Sequence, residues 1–299
     1  MKGKKSINYI RNEYIGRILV SISGFLIVFT TLAIIIFICS KGLQSFLHGE
    51  ISFVEMFTST KWSPNDAQNK SYGSLIFIGG STLVSIGAVI ISTPVAIGIA
   101  IFNSYISPKF GSTVLKPTLE LLVGIPSVVY GFLGVTVLVP FLREHFGGVG
   151  FSLIAGIIVL AIMILPTIAS ISGDAIKGVP FDYLEASYGL GSTRWQAVSR
   201  IIIPAAKKGI LTAIVLGLAR AFGEALAVQM VIGNTVKMPD SLYSPTSTLT
   251  SILTMDMANT LNGTAWNDAL WTLAMILLLI SFLFILIIRW IGKRGAQEA

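Results

Sequence analysis

The chain has 299 residues, of which 54% are hydrophobic and only 12% charged, and its mean hydropathy is +0.81. Ordinary soluble domains carry roughly twice that share of charge, so a water-soluble globule is excluded and the chain belongs in a bilayer. The net charge of +7 clusters in no nucleic-acid-like patch, and the single Cys39 excludes a disulfide framework.

Six stretches reach the roughly 20 apolar residues that a hydrocarbon core demands. In chain order they are Ile18 to Cys39, Leu75 to Phe102, Leu119 to Leu142, Phe151 to Ile171, Ile210 to Ile232 and Ala269 to Ile288. The first follows a basic N-terminus, but it is longer than a secretory apolar region and no small-x-small site follows, so an uncleaved span is predicted. Helices satisfy their own backbone in lipid, so the expected fold class is an all-α bundle of six transmembrane helices. The boundaries expected are 1–72 for the N-terminal tail, first helix and outside loop, 73–291 for five core helices, and 292–299 for a cytoplasmic tail.

Lys and Arg fix the expected orientation. With the N-terminus inside, fifteen of them fall on the cytoplasmic side, among them Lys109, Lys116, Lys177, Arg194, Arg200, Lys207 and Lys208, against five outside: Lys41, Lys61, Lys70, Arg143 and Lys237. Both termini are therefore predicted to be cytoplasmic, and anionic lipid headgroups are expected partners of the positive face.

Further along, the loop at 41 to 72 ends in the turn cluster "TKWSPNDAQNK". Pro94, Pro126 and Pro166 interrupt the second, third and fourth spans, and such breaks must face protein or a watery cavity. For "GIPSVVYG", 124 to 131, a cavity-facing break and close small-residue packing stand level; for the glycines of "FIGGSTLVSIG" packing is expected. The outside piece "STLTSILTMDMA" is expected to form a short surface or re-entrant helix.

The segment 174 to 208 is the longest cytoplasmic interruption, and its signals describe two short helices. Pro180 suits a first turn, with Asp182 and Glu185 near the positive end of a helix running to about Gly189. Gly191 permits a tight turn. Thr193 and Gln196 form a T-x-x-Q capping box opening a second helix, which is expected to stop at Pro204. A bent pair of amphipathic helices suits docking into another protein's groove, and an ordinary solvated hairpin is the alternative.

The order Glu185-Ala186-Ser187, three residues, Gly191, nine residues, Ile201-x-Ile203-Pro204 resembles the E-A-A-x3-G-x9-I-x-L-P loop of bacterial ABC importer permeases. Ser187 stands for the second Ala and Ile203 for Leu. The stretches "GSTLVSIGAVIISTPVAIGIAIF", "LELLVGIPSVVYGFLGV", "LAIMILPTIASISGDAIKGVP" and "LGLARAFGEALAVQMVIGN" further resemble the PstC family of phosphate importer permeases over about residues 73 to 235. That resemblance implies the MetI-like type I fold in a bacterial plasma membrane. It implies that Glu185, Ala186, Ser187, Gly191 and Pro204 couple the chain to a separate ATPase. It also implies the partners: a PstA-like second permease, two PstB-like ATP-binding subunits and an extracytoplasmic PstS-like phosphate-binding protein. An importer of another oxyanion, such as molybdate, sulfate or phosphonate, is the neighbouring reading.

Arg220 and Glu224 lie within the fifth span, Arg220 about 15 Å deep at 1.5 Å per residue. A charge there costs at least about 2.5 kcal/mol, so it faces a cavity or a partner. One reading is a self-neutralising i, i+4 pair, although Arg before Glu is the weaker order. The other is a translocation pathway, which the resemblance implies for both residues, and Arg's planar donors match phosphate oxygens. Glu120 is expected to be interfacial. No G-x-x-x-x-G-K-[ST] occurs, so the chain is expected not to hydrolyse ATP itself, and no cofactor or metal is expected. A membrane enzyme would need Glu224 or Asp174 with a histidine. His48 and His145 are both predicted in outside loops, far from either carboxylate.

Overall fold

In the computed structural model six helices are long and apolar enough to cross a membrane: Tyr14–Leu47, Leu75–Ile106, Ser127–Phe146, Leu153–Lys177, Arg194–Gly223 and Ala265–Trp290. Residues 2–47, 51–66 and 69–294 are described, with side chains between 14 and 290; His48, and the side chains of Lys2, Lys4, Lys5, Arg11, Lys293 and Arg294, lie outside that set. These six are taken below as the first to sixth spans.

The second, fourth and fifth spans make the centre of the bundle, where Val84, Ala88, Leu160, Ile164, Ile168 and Ala213 are almost wholly buried. Small residues set how closely the helices approach. A Cβ on Gly217 would lie 2.5 Å from Ile168, one on Gly209 2.3 Å from Ala175, and one on Gly87 2.8 Å from Ile157. The first span stands at the periphery, exposed at every position from Tyr14 to Phe37, as a helix facing lipid would be. Its C-terminal end meets the sixth span. There a Cβ on Gly42 would lie 2.6 Å from Met275, and the Thr272 hydroxyl donates to the Gly42 carbonyl at 2.8 Å.

Several sequence-based boundaries are corrected. The first helix runs Lys2–Leu47, so Lys41 sits on it and the outside loop begins later. That loop folds as a helix, Phe53–Thr58, and a hairpin pairing Trp62–Ser63 antiparallel to Ser71–Tyr72. His145 belongs to a helix, Val139–Phe146, where its ring stacks on Phe141 at 4.3 Å. The short helix expected within "STLTSILTMDMA" is present as Leu249–Asp256, capped by Thr248 and packed into the bundle through Leu249 and Ile252.

Two spans are broken. The stretch from Leu119 to Leu142, where Pro126 is expected to interrupt, is a helix Lys116–Gly124, an extended link at Ile125 and Pro126, and a second helix starting at Ser127, whereas Pro94 and Pro166 sit inside continuous helices, contrary to expectation. The link leaves carbonyls without helical partners, and the Tyr130 hydroxyl donates to one of them, Leu122 O, at 2.8 Å. The chain breaks after Gly124, while Gly131 packs against Met230 and Ala227, as the close-packing reading of "GIPSVVYG" expects. The fifth span ends its helix at Gly223; Glu224 is extended, and a new helix runs Leu226–Ile232.

Proline does less damage than expected in the hairpin at 181 to 203. The helix opening at Thr193 does not stop at Pro204 but continues through a wide π-type turn, Val198–Ile202, towards Lys207–Gly223. The same device precedes Pro117, after Gly111–Leu115, and Pro140, after Gly134–Leu138. A proline has no N–H to give to the carbonyl four residues back, and widening the preceding turn relieves the clash with its ring.

Candidate functional site

The hairpin at 181 to 203 has two faces. Phe181–Gly189 forms the first helix; Gly191 then turns the chain with φ +79°, the left-handed region that glycine enters without penalty. The predicted capping box is present: the Gln196 amide donates to Thr193 Oγ1 at 3.3 Å, and the Thr193 amide donates to Gln196 Oε1 at 2.9 Å. Leu184, Ala197, Val198 and Ile202 are buried against Ala100, Ile101 and Ile176 at the ends of the second and fourth spans. The opposite face leaves Phe181, Tyr183, Leu190 and Trp195 more than half exposed, an apolar patch of the kind that marks an interaction surface.

The coupling candidates divide between those faces. Glu185, Ala186, Gly191 and Pro204 are exposed, whereas Ser187 is 2% exposed and its hydroxyl hydrogen-bonds that of Ser192. Ser187 therefore closes the turn from inside.

Within the bilayer the structure separates Arg220 from Glu224. No ion pair joins them among the described residues, because the helix between them ends and the two side chains leave in different directions. Arg220 is half-buried and its Nη1 donates to Thr167 Oγ1 on the fourth span at 2.7 Å. Its charge also reaches the Tyr130 hydroxyl beside the break in the third span. Glu224 accepts the Ala227 amide at 2.9 Å, at the start of the half-helix Leu226–Ile232. It also lines a cavity of about 10 Å³ with Ser81, Ser85, Thr248 and Thr250, space for about one water and far too little for a phosphate.

The hydroxyls of Thr167 and Tyr130 escaped the sequence reading. The only signal was a threonine directly after the span proline in "LPTIAS". Glu120 is 64% exposed and pairs with Lys116 at 4.0 Å, as an interfacial residue would.

At the end of the bundle away from the hairpin, Asp256 is half-buried beside the indoles of Trp62 and Trp266. Burial raises its pKa. The two indole N–H groups pull the other way, although neither stands in good hydrogen-bond geometry. Among the described residues no group of His, Cys, Asp and Glu is arranged to hold a metal ion.

Comparison with known proteins gives a consistent result. The chain is 50% identical over 284 residues, 95% of its length and 92% of the relative's, to the probable ABC transporter permease protein YqgH of Bacillus subtilis. It is 36% identical over 253 residues, 78% of both chains, to the phosphate transport system permease protein PstC of Pasteurella multocida. The PstC of Xylella fastidiosa is 34% identical over 271 residues, 83% of this chain and 82% of that one. A chain of the MetNI methionine ABC transporter, solved in inward-facing conformations, shares the fold with a TM-score of 0.52 at 19% identity, covering 75% of this chain and 94% of its own. Residues 92–296 match the family described as the binding-protein-dependent transport system inner membrane component. The chain thus belongs to that family, the multi-pass inner-membrane permeases of bacterial ABC importers.

Proposed function

We propose that this chain is the membrane-spanning subunit of an ATP-driven importer of inorganic phosphate, both termini cytoplasmic. It forms the pathway with a PstA-like permease, receives phosphate from a PstS-like binding protein and takes its power stroke from two PstB-like ATPase subunits. It performs no chemistry itself. The hairpin at 181 to 203 sits in the ATPase and carries its closure to the second, fourth and fifth spans through the buried face around Leu184, Val198 and Ile202. The relatives named phosphate permeases support the substrate class.

One observation carries the reading. Arg220 keeps a full positive charge, half-buried and inside a membrane span, with a neutral hydroxyl as its hydrogen-bonded partner instead of a carboxylate. An uncompensated charge there is costly, and an anionic substrate is the group that would offset it during transport.

The test is uptake of radiolabelled phosphate by cells with and without the chain, competed by unlabelled sulfate, molybdate and phosphonate. Loss of uptake on deletion, with phosphate the effective competitor, is expected. Unchanged phosphate uptake together with lost sulfate or molybdate uptake would reassign the substrate.

A further inference from the structure

We infer that Thr167 is the second donor of an oxyanion seat whose first member is Arg220. This rests on the phosphate-permease reading and names a residue on a different span. Threonines inside helices usually return their hydroxyl hydrogen to the carbonyl four residues back. Thr31, Thr58, Thr118, Thr136 and Thr212 all do so, at 2.7 to 2.9 Å. Thr167 does not. Among the described residues its hydroxyl has one partner, the Arg220 guanidinium, and toward that group it can only accept.

Two consequences follow from that geometry. The lone pair taken by Nη1 fixes the direction of a guanidinium that would otherwise sweep through many rotamers, so its remaining N–H groups face one place. The hydroxyl hydrogen of Thr167 is left beside them, without an acceptor. A tetrahedral oxyanion arriving there meets guanidinium N–H donors from the fifth span and an O–H donor from the fourth. Both residues are half-buried, so the place is reachable. Pro166, directly before Thr167, removes one backbone bond from the fourth span at this level and lets the helix flex where the seat must form and release.

The seat also needs help in staying dry and anchored. Tyr130 lies within reach of the Arg220 charge, but its hydroxyl hydrogen is already given to Leu122 O across the break in the third span. It therefore holds the wall and does not bind the anion. Glu224 belongs to the separate cavity near Ser81 and Ser85, so it does not compete for the guanidinium.

The experiment compares T167V and T167S in the complete transporter, with binding protein and ATPase present. Initial rates of radiolabelled phosphate uptake are measured across phosphate concentration, with membrane level and ATPase co-purification alongside. T167V keeps the shape and removes the hydroxyl; the expected result is about a tenfold fall in maximal uptake with the half-saturating concentration unchanged, because capture occurs on the external protein. T167S is expected to restore uptake to within about twofold. A substrate-independent arm measures modification of Arg220 by phenylglyoxal, which should rise several-fold in T167V and not in T167S. Wild-type uptake by T167V, or equal loss in both variants, would overturn the inference. A wild-type complex that carries sulfate or molybdate instead overturns the phosphate reading only, and the same comparison on that anion still decides the role of Thr167.

Discussion

Arg220 is the residue on which the account turns, and its charge separates two explanations. If it served only to neutralise Glu224, replacing both by Met and Gln would remove the charges together and leave an active transporter. The two are not paired, so Arg220→Met with Glu224→Gln is expected to abolish nearly all phosphate uptake while membrane level and ATPase assembly stay normal. Arg220→Lys keeps the charge but loses the planar fork, and partial uptake is expected. Robust uptake by the double variant would remove Arg220 from the pathway. Asp256 makes a different kind of prediction. Its raised pKa means that the folded chain keeps a proton the unfolded chain has already released, so its contribution favours folding at low pH. That contribution fades as pH climbs from the ordinary carboxylate range through the raised value. Asp256→Asn should flatten this acid-side dependence and leave thermal stability at neutral pH equal or slightly higher, as thermal unfolding in detergent across pH would record. A steeper acid dependence in the variant would contradict the assignment.

Among the elements, the hairpin at 181 to 203 was legible because its signals are local: a proline before the first turn, a glycine at the bend and a T-x-x-Q box all act within four residues of where they are written. The breaks were harder. "AFGEALAV" contains good helix formers; the Glu224 carboxylate reaching the Ala227 amide is a local device, but the packing of Ala221 and Val228 with Val84 and Ala88 of the second span is not. Pro204 was misread as a stop because the proline rule assumes an α-helical turn before it, and here that turn is widened. The hairpin yields two predictions. Gly191→Val puts a β-branched residue at φ +79° with no atom nearby to clash, so the cost is backbone strain of about 1 to 2 kcal/mol, enough to reorient the exposed helix pair. Uptake and ATPase co-purification should both fall while the protein remains in the membrane; wild-type uptake would remove the hairpin from the coupling path. Ser187→Ala loses the bond to Ser192 and should cost about 1 kcal/mol, seen as a modest drop in coupled uptake.

At the scale of the whole molecule, six helices were readable from hydropathy alone, and what hydropathy could not supply was which of them would be interrupted at depth. The proposed orientation rests on the distribution of lysines and arginines. A reporter active only outside the cytoplasm should work when fused after Lys61 or Asp256 and stay silent after Lys109 or Gly191. The buried faces then acquire a direction: the hairpin at one end of the second, fourth and fifth spans, and the broken third and fifth spans around Arg220 in the middle. The most direct measurement is phosphate accumulation in proteoliposomes holding the purified complex of this chain with its second permease and ATPase subunits, the binding protein outside and ATP within. The account predicts uphill accumulation of phosphate that requires ATP and binding protein and is not matched by sulfate at the same concentration. Accumulation of sulfate or molybdate with no movement of phosphate would contradict it.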